Sequence, residues 1–278
     1  MSLERDFDQL DRQIDRLLRG TERNLGREYN SMLRQLRNKI GDFFAQYADS
    51  EDRLTLQEMM KYERLDKLNR EVAKLTRESY TPIAREIRKG LRSSLTTSFD
   101  STKEAVGEAA GRTIRGVLKD ETINEILQTP HSGLKLNRRL QRRRADVIDR
   151  IQETLTQGMR DGERYRSMAT RLKTELEDDM VKASRIVRTE GKRVQTLGSK
   201  QALDHASSQG VVMKKKWVSS KDERVRDKHA EMDGQVVEYD DDFVAPDGDR
   251  GWGPGLFSEP HNSINCRCIY VVEVVAVE

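Results

Sequence analysis

The stretch LERDFDQLDRQIDRL, residues 3–17, decides the fold class. Leu3, Phe7, Leu10, Ile14 and Leu17 follow one another at spacings of 4, 3, 4 and 3, and every position between them is charged or an amide. An apolar residue every three or four places draws one stripe along a helix. Alternation of 4 and 3 is the seam by which such a stripe buries against a partner.

The pattern continues outward from there. Gly20-Thr21 interrupts it weakly, and a second stripe follows in Tyr29, Met32, Leu36, Ile40, Phe43 and Tyr47. Asp49-Ser50 marks a break and a helix cap. A third stripe holds Leu65, Leu68, Val72 and Leu75, and Thr81-Pro82 restarts the chain, with proline at a first helical position. Residues 101–119 are small and dotted with glycine, which predicts a weak or tightly packed helix. Pro130-His131-Ser132-Gly133 reads as a linker. Beyond it Leu140, Val147, Ile148, Ile151, Leu155 and Met159 mark an amphipathic helix that Asp161-Gly162 ends. Ser167 opens another helical run, and a longer helix is expected from about Asp178 to Ser208, closed by Gly210.

The texture changes at residue 211. Val211–Met213 and Trp217-Val218 read as a strand interrupted by Lys214, Lys215 and Lys216, and Asp222–Glu231 as a short helix. Asp233-Gly234 is a turn, residues 240–260 form a loop rich in Asp, Gly and Pro, and residues 267–275 are β-prone. The expected fold is therefore mainly α with a small C-terminal α+β module. Three segments are expected: a helical region at 1–129 that contacts other chains, a helical part at 130–210, and the module at 211–278.

Composition agrees with long helices. Charged residues make up 36% and hydrophobic ones 35% of the 278, and mean hydropathy is −0.83. That excess of charge over an average domain needs the large surface of extended helices. Net charge is only +3, but residues 211–278 hold 9 Lys/Arg against 14 Asp/Glu, so a basic helical part precedes an acidic module. The first fifteen residues are charged throughout, and no stretch approaches a membrane-spanning length of apolar residues, so neither a secretion signal nor a membrane partner is expected. The two cysteines sit one residue apart, which is no disulfide framework and points to synthesis in a reducing cytoplasm.

Three groups of residues carry possible chemistry. Lys135, Arg138, Arg139, Arg142, Arg143 and Arg144 form a basic run with no acid among residues 131–144. On a helix Arg138 and Arg142 share one face, and Arg139 and Arg143 another. Such a run contacts DNA phosphates, docks an acidic protein, or is a solvated face. His229, His261, Cys266 and Cys268 are of the residue types that ligate zinc, though the Cys spacing is tighter than usual and the histidines are not in tandem. The other reading is two small buried hydrophobes and two loop-holding imidazoles, with no cofactor. Arg188-Thr189-Glu190 lies in the long helix, where residues two apart do not face one another. Structural pairing competes there with a catalytic glutamate. No nucleophile elbow, phosphate loop or zinc-protease motif is present.

Taken in order, Gly162, Ser167–Leu172, Arg188-Thr189-Glu190, Trp217, Asp222, Arg226, His229, Asp233-Gly234, Phe243, Pro260 and Asn265-Cys266-Arg267-Cys268 resemble the Mu F-like minor head proteins, the phage head morphogenesis family, over residues 160–272. In that resemblance Arg188, Glu190, Asp222, Arg226, His229 and Asn265 are motif positions. It implies a virion protein of few copies, made in the host cytoplasm and carried in the capsid interior at the portal vertex. Its partners would be the portal protein, scaffold or major capsid protein, and genomic DNA. Some members carry fused toxin or nuclease domains, for which no room is expected after the final strand. Two other functions stay open. One is an enzyme, a nuclease or NAD-using transferase centred on Arg188, Glu190 and His229. The other is a DNA-binding protein ejected with the genome.

Overall fold

The stripe of the opening stretch runs on without a break, and helix α1 covers Leu3–Tyr47. The computed structural model describes residues 3–130 and 134–278, so the expected linker residues His131, Ser132 and Gly133 lie outside it. Along α1 one buried stripe runs through Phe7, Leu10, Ile14, Leu18, Thr21, Leu25, Tyr29, Met32, Leu36, Ile40 and Phe43, at spacings that repeat 3, 4, 4, with Leu33 and Phe44 buried beside it. This eleven-residue period differs from the seven-residue period of a heptad seam. It corrects two expectations. Leu18 is the buried residue and Leu17 only half-buried. Gly20-Thr21 is no interruption either, since Thr21 occupies the stripe, its hydroxyl donating to the Leu17 carbonyl at 3.2 Å.

After α1 the Asp49 carboxylate accepts the backbone N–H groups of Glu51 and Arg53, each at 2.9 Å, which satisfies the chain as it turns. Short α2 (Leu56–Met60) follows, capped by Thr55, and then α3 (Arg64–Ala109). Pro82 lies inside α3 and does not begin a new helix. An interior proline removes one backbone hydrogen bond and costs about 3 kcal/mol. Burial of Tyr80, Ile83 and Ile87 around it holds the helix regardless, so packing overrides the local signal. The small residues from 101 complete the last turns of α3, and Gly111, with φ +64°, takes the chain out of it.

α4 (Asp120–Gln128) and α5 (Leu136–Arg160) come next, and Gly162, at φ +66°, ends the turn after α5 as expected. One helix, α6 (Tyr165–Ser207), replaces the two expected. The strands are β1 (Val211–Val218), β2 (Val236–Glu238), β3 (Phe243–Val244), β4 (Arg250–Gly251) and β5 (Ile269–Val277), with short helices α7 (Asp227–Glu231) and α8 (Pro260–Ser263) between them. β1 is the centre of an antiparallel sheet of order β2-β1-β5, and β3 pairs with β4. The fold is mainly helical with a small C-terminal strand module.

The three lysines do not break β1. Lys214 pairs with Glu238 across the sheet at 3.0 Å, while Lys215 points inward and is fully buried. The Lys215 Nζ donates to the carbonyls of Asp241 (2.7 Å) and Trp252 (2.9 Å) and lies 3.9 Å from the centre of the Trp252 ring. Period-two alternation survives because the buried amine finds acceptors.

The chain forms two compact units. One is drawn from the described parts of Met1–Thr21, Arg88–Lys135 and Arg185–Glu278, the other from Glu22–Ile87 and Leu136–Ser184. In the first, residues 189–196 of α6 are all buried, although most are polar. Lys192 and Gln195 both bond Asp11 of α1, at 2.7 and 3.0 Å, and the Thr196 hydroxyl donates to the Pro254 carbonyl at 2.7 Å. Glycines let the helices approach: a Cβ on Gly198 would stand 2.4 Å from the Leu95 carbonyl oxygen of α3. In the second unit the buried stripes are mostly apolar, with Leu140, Val147, Ile151 and Leu155 on α5 and Met168, Leu172 and Leu176 on α6, and Asp179 is the buried polar exception on α6.

Candidate functional site

Trp217 of β1, fully buried, organises the module's centre. It meets His229 of α7 edge-on at 5.6 Å between ring centroids, Phe243 at 5.4 Å and Phe257 at 5.7 Å. The turn before β5 brings the cysteines to this point. Asn265 takes φ +57°, a left-handed conformation that asparagine tolerates better than most residues, and its N–H donates to the Thr189 hydroxyl of α6 at 3.1 Å. Cys266 and Cys268 then both face inward. Their sulfurs lie 3.6 and 3.5 Å from the same nitrogen, His229 Nδ1. The ligating atoms of all three residues fall within 4.8 Å of one another, and all three side chains are buried.

The residues around them hold the turn from outside. Arg267, between the cysteines, points away and forms a two-pronged pair with Asp222, 2.7 Å at one contact, which holds the Asp222 carboxyl below its usual range. Arg226 donates to the Ile264 carbonyl. Asp222, Arg226 and Asn265 thus shape the loop that carries the thiols. The neighbouring Cys268 thiol draws the Cys266 pKa down to about 7, while Cys266 and burial push Cys268 up.

His261 does not join this group. It is exposed, and its Nε2 lies 2.8 Å from the Asp247 carboxylate, which also takes Lys228 at 2.7 Å. These two partners hold the Asp247 carboxyl well below the usual range. Arg188 and Glu190 part company on α6, as residues two apart must. Arg188 is exposed, whereas Glu190 is buried and pairs with Arg193 at 2.8 Å. Arg193 also donates to the Ile126 carbonyl at 2.9 Å.

The basic run divides by helix face. Lys135, Arg138 and Arg142 are exposed, Arg139 and Arg144 half-buried. Arg143 turns inward to Asp179. It joins a buried network that sequence reasoning missed. Fully buried Asp179 accepts from the hydroxyls of Tyr29 (2.6 Å) and Tyr80, which burial pushes well above the ordinary tyrosine range, and Arg150 stands 3.5 Å away. One signal was available: Asp179 falls on the stripe Leu172, Leu176, Ala183, where an unpartnered carboxylate would not survive.

Among the described residues no helix is long and apolar enough to cross a membrane. No solved structure matches the chain. Residues 149–271, which include the Asn-Cys-Arg-Cys turn and most of the small module, match the family described as Phage Mu protein F like protein. Among individual proteins, the chain is 26% identical over 269 residues to Minor head protein GP7 of Bacillus phage SPP1, covering 96% of this chain and 87% of that one. It is 30% identical over 159 residues to the NAD(+)–arginine ADP-ribosyltransferase EFV of Enterococcus faecalis, covering 57% of this chain but 32% of the enzyme. An uncharacterized protein of Haemophilus influenzae is 30% identical over 129 residues, a quarter (25%) of its length.

Proposed function

We propose that the chain is a phage minor head protein that acts in head morphogenesis as a structural component of the virion. It would dock at the portal vertex inside the capsid, beside scaffold or major capsid protein, and rest exposed arginines of α5 on genomic DNA. The observation that carries this reading is the end-to-end likeness to a minor head protein, against a likeness to the transferase that leaves two-thirds of that enzyme unmatched. Glu190 supports it too. A carboxylate buried against Arg193 is a structural ion pair, not an acid presented to substrate.

Head assembly tests the proposal. The chain is co-expressed with the portal, scaffold and major capsid proteins of its own phage, and the heads are purified and imaged at the portal vertex. Incorporation in few copies at that vertex is expected, and heads that exclude the chain would refute it. The DNA contact has its own test. Changing Arg138 and Arg142 to Gln should flatten the salt dependence of duplex binding by up to about 0.9 log units per lost contact. An unchanged slope assigns that face to another partner.

A further inference from the structure

We propose that His229, Cys266 and Cys268 form a binding site for a single thiophilic cation, zinc in the first instance, which ties the Cys-Arg-Cys turn to α7. Distance is the first argument. Zinc bonds sulfur at about 2.3 Å and imidazole nitrogen at about 2.0–2.1 Å, so a tetrahedral site has sulfur-to-nitrogen edges of about 3.5–3.6 Å. Both edges here, 3.6 Å from Cys266 and 3.5 Å from Cys268, have that length.

Counting lone pairs is the second. A neutral imidazole nitrogen offers one lone pair, and two thiols aim at the same Nδ1. A hydrogen bond satisfies only one of them, whereas a cation satisfies all three donors at once. Buried cysteines acting as small hydrophobes have no reason to converge on one ring nitrogen. Seclusion is the third: exposures are 1% for His229, 4% for Cys266 and 1% for Cys268, within walls that include Trp217 and Phe257. The loop that carries the two cysteines is also shaped in advance by the Asn265–Thr189, Arg226–Ile264 and Arg267–Asp222 contacts. Three protein donors leave a fourth position for a water or another oxygen. His261, committed to Asp247, is not a ligand.

The test uses the full chain, without a polyhistidine tag, purified from zinc-supplemented cells in the absence of chelators. Elemental analysis should find about one zinc per chain. Replacement by cobalt(II) should give the visible bands of a tetrahedral thiolate site. The double change Cys266→Ser with Cys268→Ser should abolish both signals, and His261→Gln should leave both intact. Wild-type protein that carries no zinc and gives no cobalt–thiolate bands overturns the proposal, and that result does not depend on whether the double variant folds. Zinc retained by a folded double variant overturns it as well, and so does zinc lost in His261→Gln. A Cys266–Cys268 disulfide found by mass mapping would also refute it, because both thiols are free here.

Discussion

Gly198→Ala should destabilise the protein although alanine is the better helix former. Replacing glycine by alanine inside a helix gains about 0.8–1 kcal/mol from propensity alone. At Gly198 the new methyl carbon would stand 2.4 Å from the Leu95 carbonyl oxygen and 3.1 Å from Ser98 Cβ. The first obstacle is backbone, so no side-chain rotation relieves it, and α3 and α6 must move apart locally. Such overpacking costs about 1–3 kcal/mol. Separation also strains the buried Thr102–Ser199 hydrogen bond, now 2.8 Å long, a contact that contributes about 1 kcal/mol. The net loss is about 1–3 kcal/mol. Gly26 is the matched control, because its methyl would meet nothing nearer than Met180 Sδ at 3.7 Å. Gly26→Ala should therefore stabilise by about 0.5–1 kcal/mol. Thermal unfolding followed by circular dichroism reads both, at roughly 2–4 °C per kcal/mol for a chain of this size. A Gly198→Ala protein that melts at or above the wild-type temperature would refute the close approach of α3 and α6.

Asp179→Ala should cost about 3–5 kcal/mol, since it strands the Arg143 guanidinium and two buried tyrosine hydroxyls, and urea unfolding measures it. A loss under about 1 kcal/mol would mean the network is not closed as described. Lys215 makes stability depend on pH. Burial lowers its pKa from 10.5 to about 7, so between those values the unfolded chain holds a proton that the folded chain has released. Stability contributed by this residue is complete above the higher value, falls as pH drops through the window, and levels off below about 7. The stability difference between wild type and Lys215→Met, taken at pH 7, 8 and 9, should shift toward wild type as pH rises, and a constant difference would rule the linkage out.

Much of the helical framework was legible because helix periodicity and turn chemistry are local. Each stripe reports its own helix, and Asp49, Gly162 and Asp233-Gly234 mark changes of direction whatever surrounds them. The Asn-Cys-Arg-Cys signature was legible through the family resemblance, but a β-prone stretch was expected from Arg267, whereas β5 starts at Ile269. Local reading failed where packing outweighed a local cost. Pro82 sits inside α3 because Tyr80, Ile83 and Ile87 are buried around it, and Lys215 sits inside β1 because two carbonyls and an indole receive its Nζ. The sequence by itself determined the fold class, the helical stripes and the residue types of the thiol–imidazole group. Only the tertiary structure decided that His229 and not His261 meets the cysteines, and that Arg143 leaves the basic face for Asp179. A side chain's partner depends on which distant segments fold against it, and nothing in the spacing of neighbours along the chain records that distance.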